Sequence, residues 1–300
     1  MSSSDSPERR VLNPRSMRAP ALFVGFPSPD AASDTDYQQA LRRLGIQLRK
    51  SRGILVASAR WHTVRPLRVT GHPEPPLLPH PDDARAWATR PPAPCTGEPG
   101  LAARAADLLS HAGLPAVVDD ARGLDAASWM PLSLVYGRGE VPIVEVSLPA
   151  GGSPEDMLAV GAALAPLRSD GVLLVGSGAV VCNPHRARPD RGGGLPESWA
   201  RAFDDWVGDR LEALDVDALA DYRRRGPHAH ISAPTPEFLD PLFFVLGTRM
   251  PGDRVMTLFE GFHAGSLSLR TCLLAGRRRT DLRLPDELTL RVPAPLRAAR

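Results

Sequence analysis

Short apolar runs alternate with longer amphipathic stretches along most of this 300-residue chain, and that alternation constrains its fold more than any other feature. Ala21–Gly25, Gly53–Ala59, Ala116–Val118, Pro142–Leu148 and Gly171–Gly176 are too short and too uniformly apolar for helices. They read as buried strands, several of them ending in Gly, Pro or Ser where the chain enters a loop. Between them lie helical stretches. Ser33-Asp34 suits the cap of a helix running to about Lys50, with Leu41, Leu44 and Leu48 at helical spacing. Leu101–Ala112 closes at Gly113, and Pro154–Arg168 and Glu197–Leu214 follow. Pro236–Leu246 carries proline in its first turn, as helices tolerate. Arg254–Glu260 and Ser266–Leu274 read as closing strands. Strands alternating with helices predict an α/β fold: a single domain with a mixed, mostly parallel central sheet flanked by helices.

Composition supports one full core and excludes several partner classes. With 43% hydrophobic residues, a domain of this length can bury its sheet on both faces. A net charge of +2, from 36 basic and 34 acidic residues, gives no reason to expect a nucleic-acid or membrane partner. The domain is expected to span 19–275. Residues 1–18, rich in Ser, Pro and Arg, read as a disordered tail, and 276–300 as an Arg- and Pro-rich extension. Residues 71–99 are dense in proline and form a long irregular connection of the kind that often carries function. Three widely spaced cysteines and an N-terminus without an apolar core predict a reduced, cytoplasmic protein.

Ligands of α/β sheets bind beyond the carboxyl ends of the strands. Five stretches fall in such places or in the loops that join them: Gly25-Phe26-Pro27-Ser28-Pro29, Ser58-Ala59-Arg60-Trp61, Asp125-Ala126-Ala127-Ser128-Trp129, Ser177 to Asn183, and Pro234 to Phe238. In this order and at this spacing they resemble the site-forming segments of the DOPA-dioxygenase type of class III extradiol ring-cleavage dioxygenases, the LigB superfamily. The resemblance covers about residues 20–275, and Gly265-Ser266-Leu267-Ser268-Leu269 matches that family's last strand.

The resemblance implies three histidines holding Fe(II) or zinc at the positions of Phe26, Arg60 and Cys182. It implies acid/base or substrate-orienting histidines at the positions of Ala126 and Phe238. All five are replaced here. Phenylalanine and alanine offer no lone pair, arginine is a permanent cation, and one thiolate is not a metal site. The expectation is a catalytically inactive family member, with no cofactor, that binds a small aromatic or anionic ligand or supports an active paralogue. Its pocket would comprise Phe26, Arg60, Asp125, Ala126, Cys182 and Phe238. Arg60, standing where a metal would stand, suits an anionic ligand; alternatively it pairs with an acid such as Asp125. A different reading keeps an active metal-dependent enzyme, with Fe or zinc held at a relocated site by His62, Cys182 and His185. A homodimer or a complex with the active paralogue is the expected assembly.

Overall fold

The computed structural model describes residues 18–26, 35–48, 51–79, 95–137, 141–188 and 195–276. The strands, in chain order, are β1 (Ala21–Gly25), β2 (Gly53–Thr63), β3 (Leu67–Thr70), β4 (Leu77–Leu78), β5 (Ala116–Asp119) and β6 (Leu124–Asp125). They continue with β7 (Ile143–Pro149), β8 (Val172–Gly178), β9 (Asp253–Phe259), β10 (Phe262–His263), β11 (Leu267–Ser268) and β12 (Thr271–Gly276). The helices are α1 (Thr35–Leu48), α2 (Pro99–His111), α3 (Ala126–Tyr136), α4 (Pro154–Leu164) and α5 (Ser198–Glu212). Three short helices, α6 (Val216–Ala220), α7 (Tyr222–Arg225) and α8 (Ala229–Ser232), precede α9 (Asp240–Gly247).

Eight strands form one sheet in the order β5-β3-β7-β2-β8-β1-β12-β9. Its centre, β7-β2-β8-β1, is parallel, and β12 and β9 close one side antiparallel. On the other side β3 runs antiparallel to β7 and parallel to β5. The expected mixed, mostly parallel sheet flanked by helices is therefore the fold. Alternate residues of each strand serve opposite faces. Leu22, Val24, Ile54, Val56, Leu173 and Val175 pack against α1 and α3, while Ala21, Phe23, Leu55, Ala57 and Leu174 join the core under α2, α4, α5 and α9.

Local chemistry sets the helix starts. Ser153 and Asp156 form a reciprocal capping box ahead of α4, with Pro154 in the first turn. Asp125 caps α3 by accepting the Ser128 N–H. The predicted helix 154–168 is α4 followed by a 3-10 turn at Ala165–Arg168. The helix predicted from Pro236 starts instead at Asp240, because 234–239 is an irregular segment laid against β8. The Ser33-Asp34 cap and residues 80–94 of the proline-rich connection lie outside the described residues, as do most of the two expected tails.

Two buried arginines fasten the closing strands. Arg168 donates to both carboxylate oxygens of Asp253 and to the carbonyls of Ala19, Thr248 and Leu274. Arg270 holds Asp204 at 2.7 Å and Glu260 at 2.9 Å. Among the described residues no helix is long and apolar enough to cross a membrane.

Candidate functional site

The site lies where β1, β2 and β8 end side by side. Phe26 follows β1, is buried, and donates its N–H to the Gly178 carbonyl. Gly176 and Gly178 leave no room for a Cβ, because the carbonyls of Pro241 and Phe238 lie against them. Glycine in the sequence Gly176-Ser177-Gly178 therefore serves close packing of backbone on backbone. The Ala179 N–H then donates to the Phe238 carbonyl at 2.8 Å, and the Cys182 N–H to Ser232 at 2.9 Å. Phe238 packs beside Ala179, Cys182, Ala264 and Leu267. Ser177 ties β8 to the start of α3 by donating to the Ala127 carbonyl.

Arg60 is presented by a bulge in β2. Ala57 faces Val146 of β7, yet His62 faces Leu148, so the four residues 58–61 stand opposite one. The surplus chain leaves the ladder, which re-aims its side chains. Ser58 pins the bulge: its hydroxyl accepts the Arg60 N–H at 3.1 Å and donates to Asp125 at 2.6 Å. The Arg122 guanidinium covers the Trp61 ring at 4.7 Å and reaches to within 3.8 Å of the same carboxylate. Asp125 is thus held by Ser58, Ser128 and Arg122, and Arg60 does not pair with it. Among the described residues the half-buried Arg60 guanidinium has no carboxylate partner.

A fully buried acid lies behind Asp125. Glu145 of β7 accepts the Asp125 N–H at 3.1 Å, and its own N–H donates to Thr70 at 2.8 Å. Its second carboxylate oxygen has no partner among the described residues. Burial, and then the neighbouring Asp125 charge, raises its pKa well above the ordinary glutamate value. Sequence reasoning passed over Glu145, although a lone acid inside the apolar run Pro142–Leu148 was a signal. Ser58 lay inside the Ser58–Trp61 segment without a role of its own, and no sequence signal marked Arg122.

The residues present do not fit the iron or zinc that the resemblance implies. Phe26 and Ala126 have no donor atom and Arg60 brings a positive charge. Burial pushes the Cys182 thiol up to about 12, the Arg60 charge opposing it only in part, and a single sulfur donor is not a metal site. His62 bonds through Nε2 to Asp240 at the start of α9, 3.1 Å away, and His185 is exposed in a turn after Asn183. Both are described, as is Cys182, and among the described residues no three His, Cys, Asp or Glu side chains are placed to hold a metal ion. The three are not brought together as the relocated site requires.

Fold and topology together define an α/β protein whose parallel strands β1, β2 and β8 end side by side, beneath the segments that resemble a ligand site. Residues 26–258 match the family described as the catalytic LigB subunit of aromatic ring-opening dioxygenase, and the chain belongs to that family. A 4,5-DOPA dioxygenase extradiol of Escherichia coli K12 is 34% identical over 262 residues, covering 85% of this chain and 94% of the relative. One from Beta vulgaris is 31% identical over 232 residues, covering 73% of this chain and 81% of the relative. Among solved structures, the uncharacterized protein JW3007 from Escherichia coli K12 superposes with a TM-score of 0.70 at 31% identity, over 85% of this chain and 99% of that one.

Proposed function

We propose that this chain does not open aromatic rings and instead binds a small aromatic anion, such as a carboxylate or phenolate, at the Arg60 end of the inherited site. One observation carries the reading: a half-buried guanidinium, without a carboxylate partner among the described residues, occupies a position where relatives are expected to hold metal. A buried cation is costly without a counter-charge, and a planar anion supplies one with charge-assisted hydrogen bonds. The clamp through Ser58, Asp125 and Arg122 favours ligand binding over a purely structural remnant, since it fixes the backbone that presents Arg60.

The test combines two assays on the purified protein. Oxygen uptake with catechols, measured after supplying Fe(II), is expected to stay at background. Calorimetric titration with dihydroxyphenylalanine and simple aromatic carboxylates is expected to show binding that Arg60→Met weakens by about 10- to 150-fold, the loss of a hydrogen bond to a charged group worth roughly 1.5–3 kcal/mol. Catechol-dependent oxygen uptake would overturn the inactive reading. Binding that Arg60→Met leaves unchanged would overturn the role given to Arg60.

A further inference from the structure

Glu145 has no solvent exposure, and a run of hydrogen bonds joins it to Arg60. Its Oε2 accepts the Asp125 N–H at 3.1 Å, the Asp125 carboxylate accepts the Ser58 hydroxyl at 2.6 Å, and the Ser58 Oγ accepts the Arg60 N–H at 3.1 Å. From the other side the Glu145 N–H donates to the Thr70 hydroxyl at 2.8 Å, which fixes β7 against β3 at this point. Thr70, Asp125 and Ser58 are all buried, so the run is shielded from water and a change at one member is felt at the next. The charged groups that face Glu145 are Asp125 and Arg122, one cation against two acids, and the Arg122 guanidinium is 3.8 Å from Asp125. On the elements packed against β7, His62 of β2 is bonded to Asp240, Arg68 of β3 to Asp119, and Glu155 and Asp156 stand in the first turn of α4.

We infer that Glu145 is a positioning residue for Arg60: its neutral form seats Asp125 on Ser58, and its ionisation loosens that seat and weakens anion binding at Arg60. The inference rests on the ligand site proposed above. A neutral Glu145 can hydrogen-bond the Asp125 carboxylate, whereas an ionised one repels it where water does not screen the pair. Two consequences share one sign. Repulsion moves the carboxylate that holds the Ser58 hydroxyl, and with it the acceptor of the Arg60 N–H. The added negative charge also opposes an incoming anion. Burial, and then Asp125, raises the pKa of Glu145, so its neutral form persists to higher pH than that of an exposed glutamate. Affinity is therefore full while Glu145 is neutral and falls as pH rises through its folded pKa. By linkage, a bound anion favours the protonated acid to the same degree.

Calorimetric titration of the full chain with benzoate at pH 5.5 and pH 8.5 tests it, in wild type and in Glu145→Gln, which imitates the neutral acid. Between the two pH values the wild type is expected to lose about fivefold or more in affinity beyond any loss in the variant, since the histidines that titrate are common to both. The same pH dependence in both proteins would overturn the inference. A readout without ligand separates this from failure of the ligand site itself: amide exchange at Arg60, followed by NMR. At pH 8.5 that amide is expected to exchange about fivefold or more faster in wild type than in Glu145→Gln, and at pH 5.5 equally fast. Equal rates at both pH values would overturn the positioning role, whatever benzoate does. Benzoate that binds neither protein while the Arg60 amide still follows Glu145 would sink the ligand site and support the positioning role. Ser58→Ala cuts the run between Asp125 and Arg60 and is expected to flatten the pH dependence of affinity as Glu145→Gln does; should Glu145→Gln not fold, a wild-type pH dependence that Ser58→Ala retains would overturn the inference.

Discussion

A buried acid whose pKa is raised on folding makes a prediction about stability against pH that needs no ligand. Glu145 has no solvent exposure, and its pKa is raised first by burial and then by Asp125. In the unfolded chain it ionises near the ordinary value of about 4.3. Between that pH and its folded ionisation, the native state holds one proton more than the unfolded state. Unfolding stability then falls with rising pH by about 1.4 kcal/mol per pH unit from this pair alone. The stabilising contribution is complete below the unfolded value and is lost as pH climbs toward the folded one. Glu145→Gln keeps the shape, removes the proton step, and leaves the Asp125 N–H an acceptor. Urea unfolding of both proteins at pH 5 and pH 6 isolates the effect, because every other titrating group is shared. The wild type is expected to lose about 1.4 kcal/mol more than the variant across that unit. A difference near zero would mean that Glu145 ionises normally in the folded protein, and the reasoning from burial would fail.

Other substitutions test the elements that hold the site in place. Asp253→Ala strands Arg168 as a buried cation, and is expected to cost about 3–5 kcal/mol and lower Tm by roughly 10 °C; a fall under 2 °C would show the pair to be dispensable. Gly178→Ala forces a methyl against the Phe238 carbonyl, with an expected loss of about 1–3 kcal/mol by denaturant unfolding, whereas a neutral result would mean that the segment ahead of α9 can move away freely. Native protein treated with iodoacetamide at pH 7.5 is expected to be labelled at the partly exposed Cys95 before Cys182 or Cys272, whose thiols burial pushes up to about 12 and about 11. Rapid labelling of Cys182, read by peptide mass spectrometry, would contradict a neutral, enclosed thiol.

How much of this was legible in the sequence depends on whether a feature is local. The strands ending at Gly25 and Gly178 were readable because an apolar run and its glycines sit together in sequence. The family resemblance was readable because each of its segments is short and local, and Phe26, Arg60, Ala126, Cys182 and Phe238 stand where that resemblance implies histidines. The partners of those residues were not readable. Ser58 and Asp125 are 67 positions apart, and Arg60 was expected to have Asp125 within reach on sequence grounds alone. The bulge decides otherwise: it gives Asp125 to the Ser58 hydroxyl and leaves Arg60 without that carboxylate. His62 illustrates the same limit. An unbroken strand would turn it to the side of Arg60, but after the bulge it returns to the ladder opposite Leu148 and bonds Asp240 of α9. A register shift of this kind has no composition signature, yet it separates the two readings of the site. Among the described residues, His62 is held on Asp240 and the Arg60 guanidinium has no carboxylate partner.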